Sequence, residues 1–274
     1  MRAKVDIVSP KGTQEYSYAA MYDTDGVTEL SCMKYASRSD DLNIGAAGLT
    51  TGQTYYIRIG TSSVNYRGTF TLCLEDVLDY DYFEAAEDIT SLIGTCSADA
   101  AYTTVDATPD KNPGSCTSTG KKQNRWFKFV ATSTGVMKVS VLVGGSKGNQ
   151  QSPQLAIWDS DGETELMCFS PAPTNNTPAV AGVAGLVDGN TYYISVDTQS
   201  SSKEGSFTIC LDDTPSYDYF EYAEDVTSLF GTCSADQAYT TAGMSLGKRQ
   251  STCATQMVQN CWFKFQASTS FIRT

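Results

Sequence analysis

Residues 80–104 read YDYFEAAEDITSLIGTCSADAAYTT, and residues 217–241 read YDYFEYAEDVTSLFGTCSADQAYTT. They differ only at Ala85/Tyr222, Ile89/Val226, Ile93/Phe230 and Ala100/Gln237, and they stand 137 residues apart. A fixed period is the strongest organising signal a sequence can carry, so it decides how everything else is read. The same offset relates GLTTGQTYYIRI (48–59) to GLVDGNTYYISV (185–196) and GTFTLCL (68–74) to GSFTICL (205–211). An offset of 136 relates Asp25-Gly26 to Asp161-Gly162 and Trp126 to Trp262. One complete unit of about 137 residues therefore spans 80–216, with the back part of a unit in 1–79 and the front part of another in 217–274. This circular shift of phase suits an excerpt of a longer tandem array, since termini rarely cut a core in half. The competing reading is complementation between chains, front part to back part. Head-to-tail contacts that do not close give an open filament, and separated halves would otherwise expose strand edges and core.

Inside the unit, short β-rich runs alternate with Gly, Asn, Asp and Ser/Thr clusters and show no helical period. In Trp126-Phe127-Lys128-Phe129-Val130 the alternation places Phe127 and Phe129 on one face, and Val136 to Val143 places Val139, Val141 and Val143 on one face. Leu155 to Trp158 and Thr164 to Cys168 flank Asp161-Gly162 as a hairpin. Thr191 to Val196 and Ser206 to Leu211 supply two more strands, Asp88 to Leu92 an early one, and Glu84-Ala85-Ala86-Glu87 one helical turn. Seven or eight short strands in such a length predict an all-β fold of tandem, jelly-roll-like β-sandwiches, with Ser, Thr and charged residues outside.

Composition excludes several chemistries. Among 274 residues there is no histidine, so nucleophile–histidine pairs, histidine general bases and histidine-bearing metal sites are absent. A net charge of −12 argues against binding a phosphate backbone or an anionic membrane surface. Hydrophobic residues make up 41%, with 16 Tyr and 11 Phe, enough for packed cores. The apolar stretch Ala179 to Val187 is far short of a bilayer span, and Met1 to Asp6 lacks the apolar run of a signal peptide.

The nine cysteines follow the repeat. Cys96 and Cys116 fall in the front part of the complete unit, and Cys168 and Cys210 in its back part. Cys32 and Cys73 match the latter pair, and Cys233 and Cys253 match the former, while Cys261 stands where the complete unit has Arg125. Since each half-unit holds an even number, the simplest pairing is 96–116, 168–210, 32–73 and 233–253, one of three connectivities open to four cysteines. Paired cysteines in a Ser/Thr-rich β chain place it outside the cytoplasm, and the absence of a CxxC pair argues against zinc.

Asn124-Arg125-Trp126-Phe127-Lys128-Phe129 and Asn260-Cys261-Trp262-Phe263-Lys264-Phe265 carry a family resemblance. So do Gly185-Leu186, Gly189-Asn190-Thr191-Tyr192-Tyr193-Ile194 and Gly205-Ser206-Phe207-Thr208-Ile209-Cys210. They resemble the pre-peptidase C-terminal (PPC)-like β-sandwiches found as tandem copies in large secreted surface proteins of Bacteroidetes-type bacteria. Those include type-nine secretion cargo and gliding-associated adhesins. The resemblance implies a secreted or cell-surface, non-catalytic module serving as spacer, adhesin or substrate-binding accessory.

Two kinds of site are candidates. Calcium is the cofactor that bunched carboxylates would hold at the unit junctions: Glu75, Asp76, Asp79, Asp81 and Glu84 at one, Asp212, Asp213, Asp218 and Glu221 at the next. The alternative is a solvated acidic linker. Asp159-Ser160-Asp161-Gly162 and Asp23-Thr24-Asp25-Gly26 also offer spaced carboxylates, but they lack the remaining ligands of a calcium loop and read better as hairpin turns. For glycans, Trp126, Trp158, Tyr192, Tyr193 and the Tyr80/Tyr82 pair could stack on sugar rings, with core packing as the alternative. Nothing singles out a catalytic acid and base, so no enzyme is expected. The expectation is a structural or adhesive array whose partners are its own repeats, other copies of itself, or surface glycans. The runner-up is a carbohydrate-binding accessory region of a secreted hydrolase.

Overall fold

The computed structural model describes residues 1–34, 38–39, 41–76, 79–111, 114–117, 123–170, 177–198, 201–245 and 259–267. Its regular structure is short strands and single 3-10 turns. The strands are β1 (Arg2–Asp6), β2 (Ser17–Tyr22), β3 (Glu29–Lys34), β4 (Leu42–Gly45), β5 (Tyr56–Thr61) and β6 (Thr71–Glu75). They continue with β7 (Glu87–Asp88), β8 (Thr95–Cys96), β9 (Tyr102–Thr103), β10 (Arg125–Val130), β11 (Val136–Leu142) and β12 (Pro153–Trp158). Next come β13 (Glu165–Phe169), β14 (Ala179–Ala184), β15 (Thr191–Thr198), β16 (Ser206–Asp212), β17 (Glu224–Asp225) and β18 (Phe263–Lys264).

Residues 87–212 form a closed β-sandwich of jelly-roll-like shape. One sheet has the order β13-β12-β15-β10-β7 and the other β14-β11-β16-β9. The alternation read from the sequence explains the core between them. Phe127, Phe129, Leu155, Ile157, Ile194 and Val196 point inward from the first sheet, and Val139, Val141, Phe207, Ile209 and Leu211 from the second. Strands β1–β6 repeat this arrangement in part. Their sheets β3-β2-β5 and β4-β1-β6 enclose Val5, Ile7, Met21, Leu42 and Ile44, and β10, β7 and β9 have no counterpart there. β17 and β18 form a separate parallel pair, Glu224↔Phe263 and Asp225↔Lys264, in the register by which Glu87↔Phe127 and Asp88↔Lys128 join β7 to β10.

The hairpin around Asp161-Gly162 is present, with β12 and β13 antiparallel and a register shift at Ile157/Trp158. Gly162 has φ +67°, and a Cβ there would collide with the Phe83 ring, so the position requires glycine on both counts. The expected strand Asp88 to Leu92 is replaced by a 3-10 turn over Thr90–Leu92. Asp88 Oδ1 accepts from Thr90 N (3.0 Å) and Thr90 Oγ1 (2.7 Å), and this local bonding competes with strand pairing.

The disulfide pairing differs from the simplest one. Cys96 bonds to Cys210 and Cys116 to Cys168, so each bond joins the front of the unit to its back. Sequence distance misleads here because β8 lies along β16: Ser97 N donates to Ile209 O at 2.9 Å and Gly94 N to Leu211 O at 2.9 Å. That contact brings the Cα atoms of Cys96 and Cys210 to 4.0 Å across a separation of 114 residues. The Cys116–Cys168 bond pins the loop after β9 to β13. Cys32 on β3 and Cys73 on β6 lie in different sheets and are not bonded, and Cys233 and Cys261 are also free. The expected 32–73 bond is therefore not formed. Cys253, and with it the 233–253 bond, lies outside the described residues.

Candidate functional site

The aromatics singled out for sugar stacking are mostly interior. Trp126 and Trp158 are buried, with ring centroids 6.0 Å apart, in a small cluster with Ala86 and Ala156. They lie on the face of the first sheet turned away from the main core, and of the two readings open to them the packed one holds. The Phe83 ring packs edge-on to Trp126 at 5.3 Å, and the described part of the loop after β9 borders the cluster at Gly114, close to Ala156 and Cys168. That loop is tied down by the Cys116–Cys168 bond, by Ser115 N and Oγ donating to Glu165 (2.6 and 2.5 Å), and by Asp110, which accepts from Phe83 N (2.8 Å). Trp158 Nε1 donates to Ser195 Oγ at 2.9 Å, a partner expected of a buried indole. Tyr192 is buried against Phe129, and its hydroxyl accepts from Val187 N (3.0 Å), so it buttresses the 185–190 turn. Tyr193 is half-buried with its ring 4.3 Å from Phe83. Tyr82 is buried and donates to Met1 O at 2.9 Å. Stacking on a sugar is thus unavailable to Trp126, Trp158 and Tyr192, because their faces are spent on protein.

Most of the junction carboxylates are paired within the protein. Asp81 is fully buried: Oδ1 accepts from Thr108 N (2.7 Å), Oδ2 from Thr108 Oγ1 (2.9 Å), and the guanidinium of Arg125 lies 3.1 Å away. Arg125 also donates to Thr103 O and Val105 O (3.0 and 2.9 Å). Arg2, from the preceding sheets, stands 3.9 Å from Asp81 and 2.6 Å from Glu75. Asp79 lies 3.7 Å from Arg125, Glu84 lies 3.8 Å from Lys111, and Asp76 is exposed. Burial pushes the Asp81 carboxyl up to about 6, against the lowering pull of Arg125 and the Thr108 hydrogen bonds.

At the next junction Asp218 takes the place of Asp81, accepting from Ser245 N (2.9 Å) and Ser245 Oγ (3.0 Å). Cys261 stands in the sequence position of Arg125, and burial again raises the carboxyl. Asp212 pairs with Lys138 (3.1 Å), Asp213 accepts from Thr132 Oγ1 (2.7 Å), and Glu221 lines a cleft. Among the described residues no three His, Cys, Asp or Glu side chains converge as a metal-holding group. The signal for these ion pairs was present in the sequence as Arg2 and Arg125. Neither is near Asp81 in the chain, so only the fold brings them together.

The two DxDG stretches are turns. Asp161 Oδ1 accepts from Glu163 N and Thr164 N (both 2.8 Å) and Oδ2 from Thr164 Oγ1 (2.6 Å). Asp25 repeats the pattern with Val27 and Thr28. The Thr164 and Thr28 hydroxyls, followed by the backbone amides, hold both carboxyls below the usual range.

A cleft of about 300 Å³ lies beside β13 and β14, where the turn Tyr219–Glu221 approaches the sandwich. Asp159, Leu166, Val187, Tyr192, Phe220 and Glu221 line it. Close packing sets that turn in place: a Cβ on Gly182 would fall 2.3 Å from Ser245 Oγ and 3.2 Å from the Tyr219 ring. Tyr222 Oη also donates to Thr134 O at 2.6 Å. Phe220, Val187 and Leu166 leave apolar surface exposed in or beside the cleft, next to two carboxylates. No sequence motif marked this site, because its two walls lie in different parts of the chain.

With this geometry in hand, the likeness to known proteins has a place to attach. Residues 81–209, the closed sandwich, match a family model described as galactose binding domain-like and associated with T9SS. The match is to that family rather than to the PPC-like family that the motifs suggested. No curated protein matches the chain. Among solved structures, the chain is similar to the C-terminal CBM6 of LamC, a marine laminarinase from Zobellia galactanivorans. That likeness has 15% identity and a TM-score of 0.25, over 43% of this chain and 98% of that one. It is also similar to a structure from work on carbohydrate-binding modules of the β-sandwich superfamily, at 13% identity and a TM-score of 0.24, covering 78% and 90%. An allantoicase aligns at 14% identity and a TM-score of 0.23, covering 77% and 71%. Among the described residues no helix is long and apolar enough to cross a membrane.

Proposed function

We propose that this chain is a non-catalytic binding module of a secreted, surface-associated protein, with glycans as its ligand class and the cleft beside Tyr219–Glu221 as its contact surface. The match of the closed sandwich to a T9SS-associated, galactose binding domain-like family carries this reading. Two disulfides agree with an oxidising, extracytoplasmic setting. The cleft suits a saccharide. Asp159 and Glu221 are acceptors for sugar hydroxyls, and Phe220 with Leu166 offers apolar ground for the C–H face of a ring. Catalysis is no part of the proposal, since the chain has no histidine and its most perturbed carboxyl, Asp81, is sealed from solvent. The structural and adhesive role expected from the sequence is compatible with it, because Arg2, Asp81 and Tyr82 lock one sheet group onto the next.

Titration calorimetry with galactose and with galacto- and gluco-oligosaccharides tests the reading. Measurable heat is expected, with Asp159→Ala weakening binding about tenfold, near 1.4 kcal/mol, at unchanged melting temperature, and Phe220→Ala weakening it at least as much while also loosening the ring contact to Trp262. Absence of binding to every saccharide, or binding indifferent to both substitutions, removes it.

A further inference from the structure

We propose that the closed sandwich carries both halves of one joint, a plug at its front and a socket at its rear, and that this joint fixes successive units in one orientation. Units joined in this way step along a stiff rod, whereas domains on a plain linker move freely by default. The proposal does not rest on the glycan reading.

The plug is Asp81 and Tyr82 with Thr108. Both Asp81 and Tyr82 are buried, and Thr108 donates its amide (2.7 Å) and its hydroxyl (2.9 Å) to the Asp81 carboxylate. Tyr82 meets the preceding unit at Gly45, the last residue of the edge strand β4. A Cβ on Gly45 would collide with the Tyr82 hydroxyl and fall 3.1 Å from Thr108 Oγ1. The socket at the rear of the closed sandwich receives the same side chains one unit on. Gly182 lies on the edge strand β14, where a Cβ would collide with Ser245 Oγ and fall 3.2 Å from the Tyr219 ring. Asp218 and Tyr219 are buried, and Ser245 donates its amide (2.9 Å) and hydroxyl (3.0 Å) to Asp218. Gly45 and Gly182, Asp81 and Asp218, Tyr82 and Tyr219, and Thr108 and Ser245 all stand 137 residues apart.

The row beside each glycine is repeated as well. Arg2 stands opposite both Gly45 and Glu75 in its sheet, and Lys138 opposite both Gly182 and Asp212. Arg2 pairs with Glu75 at 2.6 Å and Lys138 with Asp212 at 3.1 Å. Each cation also faces the carboxylate that the next unit brings. Arg2 lies 3.9 Å from Asp81, and the charge of Lys138 opposes the rise that burial gives the Asp218 carboxyl.

Two observations mark this as a built joint. Neither Gly45 nor Gly182 has the left-handed φ that calls for glycine, and glycine weakens a strand. Their own strands would therefore accept a side chain; only the neighbouring unit's tyrosine and hydroxyl exclude one. The surrounding contacts, by contrast, vary. Asn43 Nδ2 donates to Asp106 Oδ1 (3.4 Å) at the first junction and Tyr222 Oη to Thr134 O (2.6 Å) at the second, and the counterparts of Asp106 and Tyr222 are Gly243 and Ala85. The plug and socket are what the two junctions share.

Residual dipolar couplings of backbone amides in the full chain test the joint. Couplings from β1–β6 and from β10–β16 should fit one alignment tensor, because two bodies held at a fixed angle align as one. Gly45→Val should split them into two tensors while the melting transition of the closed sandwich stays in place. Tyr82→Ala, which leaves every residue of β1–β6 unchanged, should split them too. Two tensors in the wild-type chain, or a single tensor kept in either variant, overturns the proposal. Neither substitution touches a residue lining the cleft, so failure of the joint and failure of saccharide binding are separate results.

Discussion

Replacing Asp81 with Asn changes how stability depends on pH, and the size of the change follows from the site. Asp81 sits fully buried between Thr108, Arg125 and Arg2, and burial pushes its carboxyl up to about 6 in the folded protein, against about 3.9 in an unfolded chain. The folded state thus takes up the proton first as pH falls. Protonation contributes stability that appears as pH drops through 6 and is complete below about 3.9. Integrating between these two values gives almost nothing at pH 7 and on the order of 1 kcal/mol at pH 5. Asparagine cannot gain this increment. Urea unfolding of wild type and Asp81→Asn at both pH values should show the difference moving by on the order of 1 kcal/mol in favour of wild type on acidification. Carboxyls common to both proteins cancel in the comparison. A difference that stays constant, or moves against wild type at pH 5, refutes the reasoning and means the two arginines outweigh burial.

Three further expectations follow from the same structure. Cys116→Ser opens a loop spanning a 52-residue separation and should cost about 4 kcal/mol, and Cys96→Ser, with a separation of 114, about 5 kcal/mol; both are read by thermal melting without reductant. Trp126→Ala should cost about 3–5 kcal/mol as a cavity between Phe83 and Trp158, a loss seen in melting temperature and not in saccharide affinity of the folded protein. Chelation of divalent cations should leave the melting temperature unchanged, because Glu75, Asp79 and Asp81 already face Arg2 and Arg125; a fall on adding chelator would return those carboxylates to calcium.

Much of the fold was legible because strand alternation is a local property. Phe127 and Phe129, Val139 and Val141, and the Asp161-Gly162 turn all do what their spacing implies. β14 carried no such signal, since Ala179–Ala184 is apolar without period and faces the core from a sheet edge. The long-range features were less legible. For Trp126 the sequence leaves sugar stacking and core packing both open, since alternation sets it opposite Phe127; the Phe83 ring and the Trp158 cluster make it core. The disulfides defeated an argument from proximity in sequence because a sandwich joins its first strands to its last. Asp81 was rightly placed at a junction, but its partners Arg2 and Arg125 come from both sides of it. The cleft was invisible for a like reason, with Phe220 and Glu221 on one wall and Leu166 and Val187 on another.

The account's central claim is that the chain recognises saccharide in the cleft beside Tyr219–Glu221. Backbone amide shifts in solution NMR, recorded while a saccharide that gives heat in calorimetry is added, test it most directly. The account predicts saturable shifts centred on Asp159, Leu166, Gly182 to Val187 and Phe220 to Glu221, with the amides of the Trp126 cluster unmoved. Shifts centred on another surface, or none at saturating sugar, would contradict it.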